Sequence, residues 1–117
     1  MKPVRRLPTQ SAWIRIQNKP FMNRLDIAGQ VLEVSPVRYT PAGVAVSEFL
    51  ISSESDVIEA GQSRKVIISL PVVAMGDLVQ MTGKLQLGSK VQIQGFLAPV
   101  RKDSPKFRLH AQLIKQI

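Results

Sequence analysis

Arg101 and Lys102 lie between two prolines, Pro99 and Pro105, and Lys106 and Arg108 follow directly. Cations gathered in a short, stiffened segment suit the phosphates of a nucleic acid, because each phosphate they neutralise releases condensed counterions. Arg64, Lys65, Lys84 and Lys90 extend the basic set through the C-terminal half, and Arg38 adds one base upstream. Holding a single strand also calls for flat side chains on which bases stack. Beyond residue 22 the aromatics are Tyr39, Phe49, Phe96 and Phe107. Phe49 and Phe107 fall at core-facing positions. Tyr39, in a proline-flanked loop, and Phe96, on the polar parity of its strand, are the stacking candidates. Stacking contributes roughly 1–3 kcal/mol per base, so two such residues give modest binding and phosphate contacts must supply most of it.

The same inventory argues against catalysis. No convergent set of titratable groups is visible. His110 is the sole histidine and there is no cysteine, so thiolate sites, disulfides and histidine pairs within one chain are excluded. Beside Lys106 and Arg108 on a polar strand face, His110 either touches phosphate or is a surface histidine without a role. Glu48, Glu54, Asp56 and Glu59 lie in and beside a polar stretch, which suits solvated charges better than metal ligands. The glycines are isolated turn or bulge residues rather than a phosphate-binding loop. The expectation is a binding protein, not an enzyme, with no metal and no cofactor.

Sixteen Lys and Arg against eight Asp and Glu give a net charge of +8 over 117 residues. That charge is unevenly placed. Residues 1–21 hold Lys2, Arg5, Arg6, Arg15 and Lys19 with no acid. Residues 22–59 set Arg24 and Arg38 against Asp26, Glu33, Glu48, Glu54, Asp56 and Glu59, and are net acidic. Residues 60–117 carry nine bases against Asp77 and Asp103. The basic C-terminal half is therefore the expected binding side.

Residues 1–21 contain Pro3, Pro8 and Pro20 and no sustained period, and read as an irregular basic N-terminal arm, a start-site or expression-derived extension. Residues 22–117 form the one folded domain, of a length that supports a single core. No apolar run nears the roughly 20 residues needed to span a bilayer. A cytoplasmic protein without a membrane partner is the expectation.

The elements that must position these side chains are short strands. Leu25, Ile27, Gly29 and Val31 alternate, then Val31-Leu32 breaks phase, as a bulged strand bending into a barrel requires. Residues 36–43 read as a loop. Residues 45–52 form the second strand, with Phe49 and Ile51 inward. Residues 53–63, acidic and small, read as a hairpin loop. Residues 64–75 form the third strand, whose Pro71 argues for an edge or a bulge. Asp77 can cap a short helix running to about Leu85, with Leu78, Met81, Thr82 and Leu85 on one face. Residues 90–97 place Val91, Ile93, Gly95 and Leu97 inward, residues 98–105 form a loop, and residues 106–114 place Phe107, Leu109, Ala111 and Leu113 inward. Five strands with a helix between the third and fourth make an all-β fold, a five-stranded OB-fold barrel. Its oligonucleotide face is rimmed by the loops after the first and fourth strands. A lone small barrel leaves sheet edge exposed, and pairing of two chains covers it, so a homodimer is expected.

The run SLPVVAMGDLVQMTGKLQLGSKVQIQGFL (69–97) resembles the strand–helix–strand centre of bacterial single-stranded-DNA-binding proteins. MNRLDIAGQV (22–31), RYTPAG (38–43) and RLHAQ (108–112) are similar to segments of the primosomal replication protein N family, relatives of those proteins. The chain ends at Ile117 without the long acidic-tipped tail of the general single-strand binders, which favours the primosomal group. The resemblance implies an OB-fold homodimer that binds single-stranded DNA and bridges the restart helicase to later loading factors among the primosome proteins. It assigns DNA contacts to Arg38, Arg101 and Lys106. Two departures stand out: Ile67 replaces an aromatic stacking residue in the third strand, and the fourth-to-fifth-strand loop is shorter, with Asp103 near a position that can be basic. These departures leave open a protein-recruiting OB adaptor with weak nucleic-acid binding. A general single-stranded-DNA or RNA module is the other alternative.

Overall fold

The computed structural model describes residues 21–117; the N-terminal arm, up to residue 20, lies outside them. Seven elements follow in order: β1 (Leu25–Val34), β2 (Arg38–Tyr39), β3 (Ala45–Glu59), β4 (Gln62–Met75), α1 (Leu78–Thr82), β5 (Lys90–Pro99) and β6 (Phe107–Gln116). The strands adjoin in the order β1-β5-β6-β4-β3-β2, and a second pairing of β1 with β3 closes five of them into a barrel. This is the expected OB-fold architecture; the added two-residue β2 lies inside the stretch read as a loop and pairs with Ala45 and Val46.

Closure depends on how β1 bends. Its first half pairs with β5 over Leu25 to Gln30, and its second half pairs with β3 from Gln30 onward. The register slips between Val31 and Glu33, leaving Leu32 as the extra residue of a bulge, where the sequence breaks phase. Gly29 allows the crossing: a Cβ there would lie 2.7 Å from the Ser52 carbonyl oxygen.

The stretch expected to be a hairpin loop, residues 53–63, is instead mostly strand. β3 and β4 stay paired out to Glu59 and Gln62, joined by a two-residue turn in which Ala60 (φ 53°) and Gly61 (φ 77°) both adopt left-handed backbone. Two positive φ values mark the turn whose twist matches paired strands. The outer part of this ribbon is exposed on both faces, so it has no apolar alternation to betray it. Diagonal cross-strand ion pairs, Lys65 with Glu54 and Arg64 with Glu59, lie along it.

Among the described residues β4 has β3 as its only ladder partner up to Pro71; Val72 and Val73 then also pair, in parallel, with Leu109 and His110. Pro71 thus stands where an edge strand becomes an interior one, as its missing N–H demands. The helix is shorter than expected, ending at Thr82, and Asp77 occupies the N-cap position without a side-chain cap bond. Leu78 and Met81 still pack on the core, and Leu85 is buried beyond the helix.

The inward residues of β5 are as read: Val91 and Ile93 are fully buried and join Ile51, Val72 and Leu109 in the core. On β6 the reading needs correction. Gln94 faces Leu113 while Gly95 faces Ala111, so Gln112 is bulged out and the inward parity switches. Ile114 is buried and Leu113 is 47% exposed. Phe107, expected inside, is 53% exposed because it faces Pro99 at the rim, where the two strands leave the barrel. Gly95 is required at this bulge, since a Cβ would lie 1.9 Å from the His110 carbonyl oxygen.

Candidate nucleic-acid interface

The loop between β5 and β6 is a compact turn. Val100 N–H donates to the Lys106 carbonyl and Ser104 N–H to that of Arg101, while Asp103 takes a left-handed backbone, φ 62°. Arg101, Lys102 and Lys106 are exposed on it, and none has a carboxylate within ion-pair distance among the described residues. They are free to meet phosphate.

Arg108 lies two residues into β6, and Glu48 on β3 joins it to Arg38 on β2. Arg38 donates to Glu48 Oε2 from both Nε and an Nη, at 3.1 and 2.6 Å. Arg108 reaches the other oxygen, Oε1, at 3.4 Å. Sequence reasoning set Glu48 aside as a solvated acid; its bridging role depends on the β3–β4–β6 pairing and has no local signature. Glu48 thereby links Arg38 to Arg108, which stands at the start of β6 just beyond the loop that carries Arg101, Lys102 and Lys106.

The aromatic candidates differ in setting. Tyr39, next to Arg38, is 69% exposed and borders a shallow groove with Val44, Val79 and Gln80. Phe96 is half-buried and stacks on His110, its partner across the β5–β6 ladder. Burial, then the nearby Arg108 charge, holds the His110 imidazole below its ordinary pKa. A neutral ring stacks without bringing a further charge into the cluster.

The other predicted cations lie on other elements. Lys90 opens β5, nine residues from Pro99, which is about 30 Å at roughly 3.3 Å per residue, and Lys84 follows α1. Arg64 and Lys65 sit on the outer ribbon, paired with Glu59 and Glu54. Away from the cluster, the exposed Asp26 carboxylate accepts from Gln92 and Gln94, at 3.1 and 3.0 Å, and these bonds lower its pKa. Asn23, unnoticed in the sequence, clamps the start of the fold to Leu97 with one bond to the backbone N–H and one to the carbonyl. Among the described residues no cluster of three or more His, Asp or Glu is placed to hold a metal ion, and no helix is long and apolar enough to cross a membrane.

The profile of a family described as "another single-strand binding protein family" matches residues 23–113, nearly the whole barrel. The replication restart protein PriB of Bordetella pertussis is 46% identical over 96 residues, 82% of this chain and 90% of that protein. The chain belongs to the single-strand binding family, in its PriB group. Solved structures agree. PriB of Ralstonia solanacearum superposes with a TM-score of 0.74 at 26% identity, covering 82% of this chain and 98% of that one. The single-stranded DNA binding protein of Thermus aquaticus gives 0.66 at 25% identity, over 82% of this chain and 50% of that one. Family membership accords with the resemblance read from residues 22–31, 38–43, 69–97 and 108–112.

Proposed function

We propose that this protein binds single-stranded DNA during replication restart, as a cytoplasmic homodimer that bridges the restart helicase to later loading factors and performs no catalysis. The observation that carries the DNA-binding part is the run of exposed cations Arg101, Lys102 and Lys106 leading into Arg108, which Glu48 joins to Arg38, on a single-strand binding barrel that also presents Tyr39 and the Phe96 ring. Phosphates run past the β5–β6 loop and bases lie toward the aromatic side chains. Binding is mostly electrostatic and modest in strength, because few flat side chains are available. Residues 1–21 add charge without belonging to the domain, 22–117.

Titration of a labelled oligonucleotide over a range of salt tests this reading. Five engaged cations set an upper limit on the steepness of log K against log salt, a slope near −3.5 from about −0.7 per contact. A flat response overturns it. Removal of residues 1–21 lowers affinity without abolishing it. A monomeric mass in solution overturns the dimer.

A second reading, an adaptor that recruits proteins and binds nucleic acid weakly, draws on one observation: Arg38, Arg64, Lys65 and Arg108 already hold carboxylates. Negligible oligonucleotide binding at moderate salt would favour it.

A further inference from the structure

We infer that Glu48 is a built-in competitor for phosphate, occupying Arg38 and Arg108 in the free protein and setting how tightly, and how salt-dependently, the protein holds single-stranded DNA. The inference rests on the DNA-binding reading above.

Three observations converge on Glu48. It splits its two oxygens between arginines from two other strands, one on Oε2 and one on Oε1. A carboxylate between two guanidinium groups has the charge and the paired acceptor oxygens of a phosphodiester, which arginine also recognises. The contacts are also unequal and incomplete. Arg38 is held closely, but Arg108 reaches Glu48 only at 3.4 Å, and its buried Nε has no acceptor among the described residues. A better acceptor would therefore improve on what Glu48 offers Arg108. Finally, the side chains of Arg38 and Glu48 are 54% and 36% exposed. The Arg38–Glu48 pair is therefore weak and screened, so an incoming phosphate displaces the carboxylate from Arg38 at little cost.

The cluster's position gives the competition its effect. Arg108 pairs in register with Ala98, and Phe107 with Pro99, the residues that lead into the β5–β6 loop carrying Arg101, Lys102 and Lys106. Glu48 is the one carboxylate bonded to members of this cationic group among the described residues. When DNA takes over the arginines, Glu48 is released to solvent and gathers a counterion. The net release of ions is then smaller by about one contact than the number of phosphates bound.

The test uses the full chain and its Glu48→Gln and Glu48→Ser variants, with a fluorescein-labelled oligothymidylate titrated from low to high salt. Both substitutions fall at a partly exposed position, and matching melting curves establish that each variant is folded. The expected result is binding tighter by roughly five-fold at low salt, with a slope steeper by about 0.7, the share of one contact. Arg38→Gln should then cost more affinity in the Glu48→Gln background than in the wild type. Unchanged binding and slope in the variants overturn the inference. Weaker binding by folded variants overturns it too, and makes Glu48 a residue that positions the arginines. If the wild type itself binds no oligothymidylate at low salt, the DNA-binding reading fails first and the inference falls with it.

Discussion

Phe96 and His110 lie face to face across the β5–β6 ladder, with ring centroids 5.1 Å apart and planes 12° from parallel. The stack couples a titratable ring to the sheet. Burial, and then Arg108, depress the His110 pKa below 6.5, so the unfolded chain takes up the proton more readily than the folded one. By linkage this contribution to stability is complete above pH 6.5 and is lost as pH falls through the lower, folded-state value. The melting temperature should fall as pH drops below 6.5, and His110→Gln should flatten that part of the profile. A pH dependence unchanged by the substitution would mean that His110 does not titrate in this way. Asp26 acts with the same sign at lower pH, its contribution fading below 3.8.

Gly95 and Gly83 should respond oppositely to alanine. A methyl group at Gly95 meets the His110 carbonyl oxygen at 1.9 Å, a backbone atom that cannot move without opening the bulge. Gly95→Ala should destabilise the fold by about 2 kcal/mol or more. Gly83 ends α1 with right-handed backbone, φ −63°, and a Cβ there would make only ordinary contacts, 3.7 Å from the Val79 and Gln80 carbonyl oxygens. Gly83→Ala should stabilise by roughly 0.4–1 kcal/mol, by narrowing the unfolded ensemble. Chemical denaturation of both variants measures the contrast.

The parity switch on β6 makes neighbouring residues unequal. Ile114 is 6% exposed and packs in the core, so Ile114→Ala should cost about 2–4 kcal/mol. Leu113→Ala, at a half-exposed site, should cost less than about 1 kcal/mol. Equal costs would place the bulge elsewhere.

Charge reversal at Arg101 and Lys106 together should abolish oligonucleotide binding, since it replaces two attractive contacts with two repulsive ones on the β5–β6 loop. Reversal of Arg64 and Lys65 should weaken binding much less. Those cations are already paired on the ribbon, seven and more residues along β4 from the point where it joins β6. Fluorescence anisotropy at fixed salt compares the two double variants, and equal losses would move the interface onto the ribbon.

Much of this was legible because barrel strands with one buried face alternate with period two. Val91 and Ile93, Phe49 and Ile51 declared themselves in that way, and the phase break at Leu32 marked the bend that closes the barrel. The β3–β4 ribbon was not legible. With both faces in water, residues 53–63 alternate nothing, and polarity there looked like a loop. Phe107 and Leu113 misled for another reason. A bulge at Gln112 and a strand end at Pro99 are set by the partner strand, and local alternation carries neither.

The sequence by itself determined the barrel, its basic half and the loop that carries Arg101, Lys102 and Lys106, since each is a property of consecutive residues. Only the tertiary structure decided which cations are bonded together. Arg38, Glu48 and Arg108 are bonded across β2, β3 and β6. Strand order brings distant residues together, and that order emerges only when the chain closes on itself.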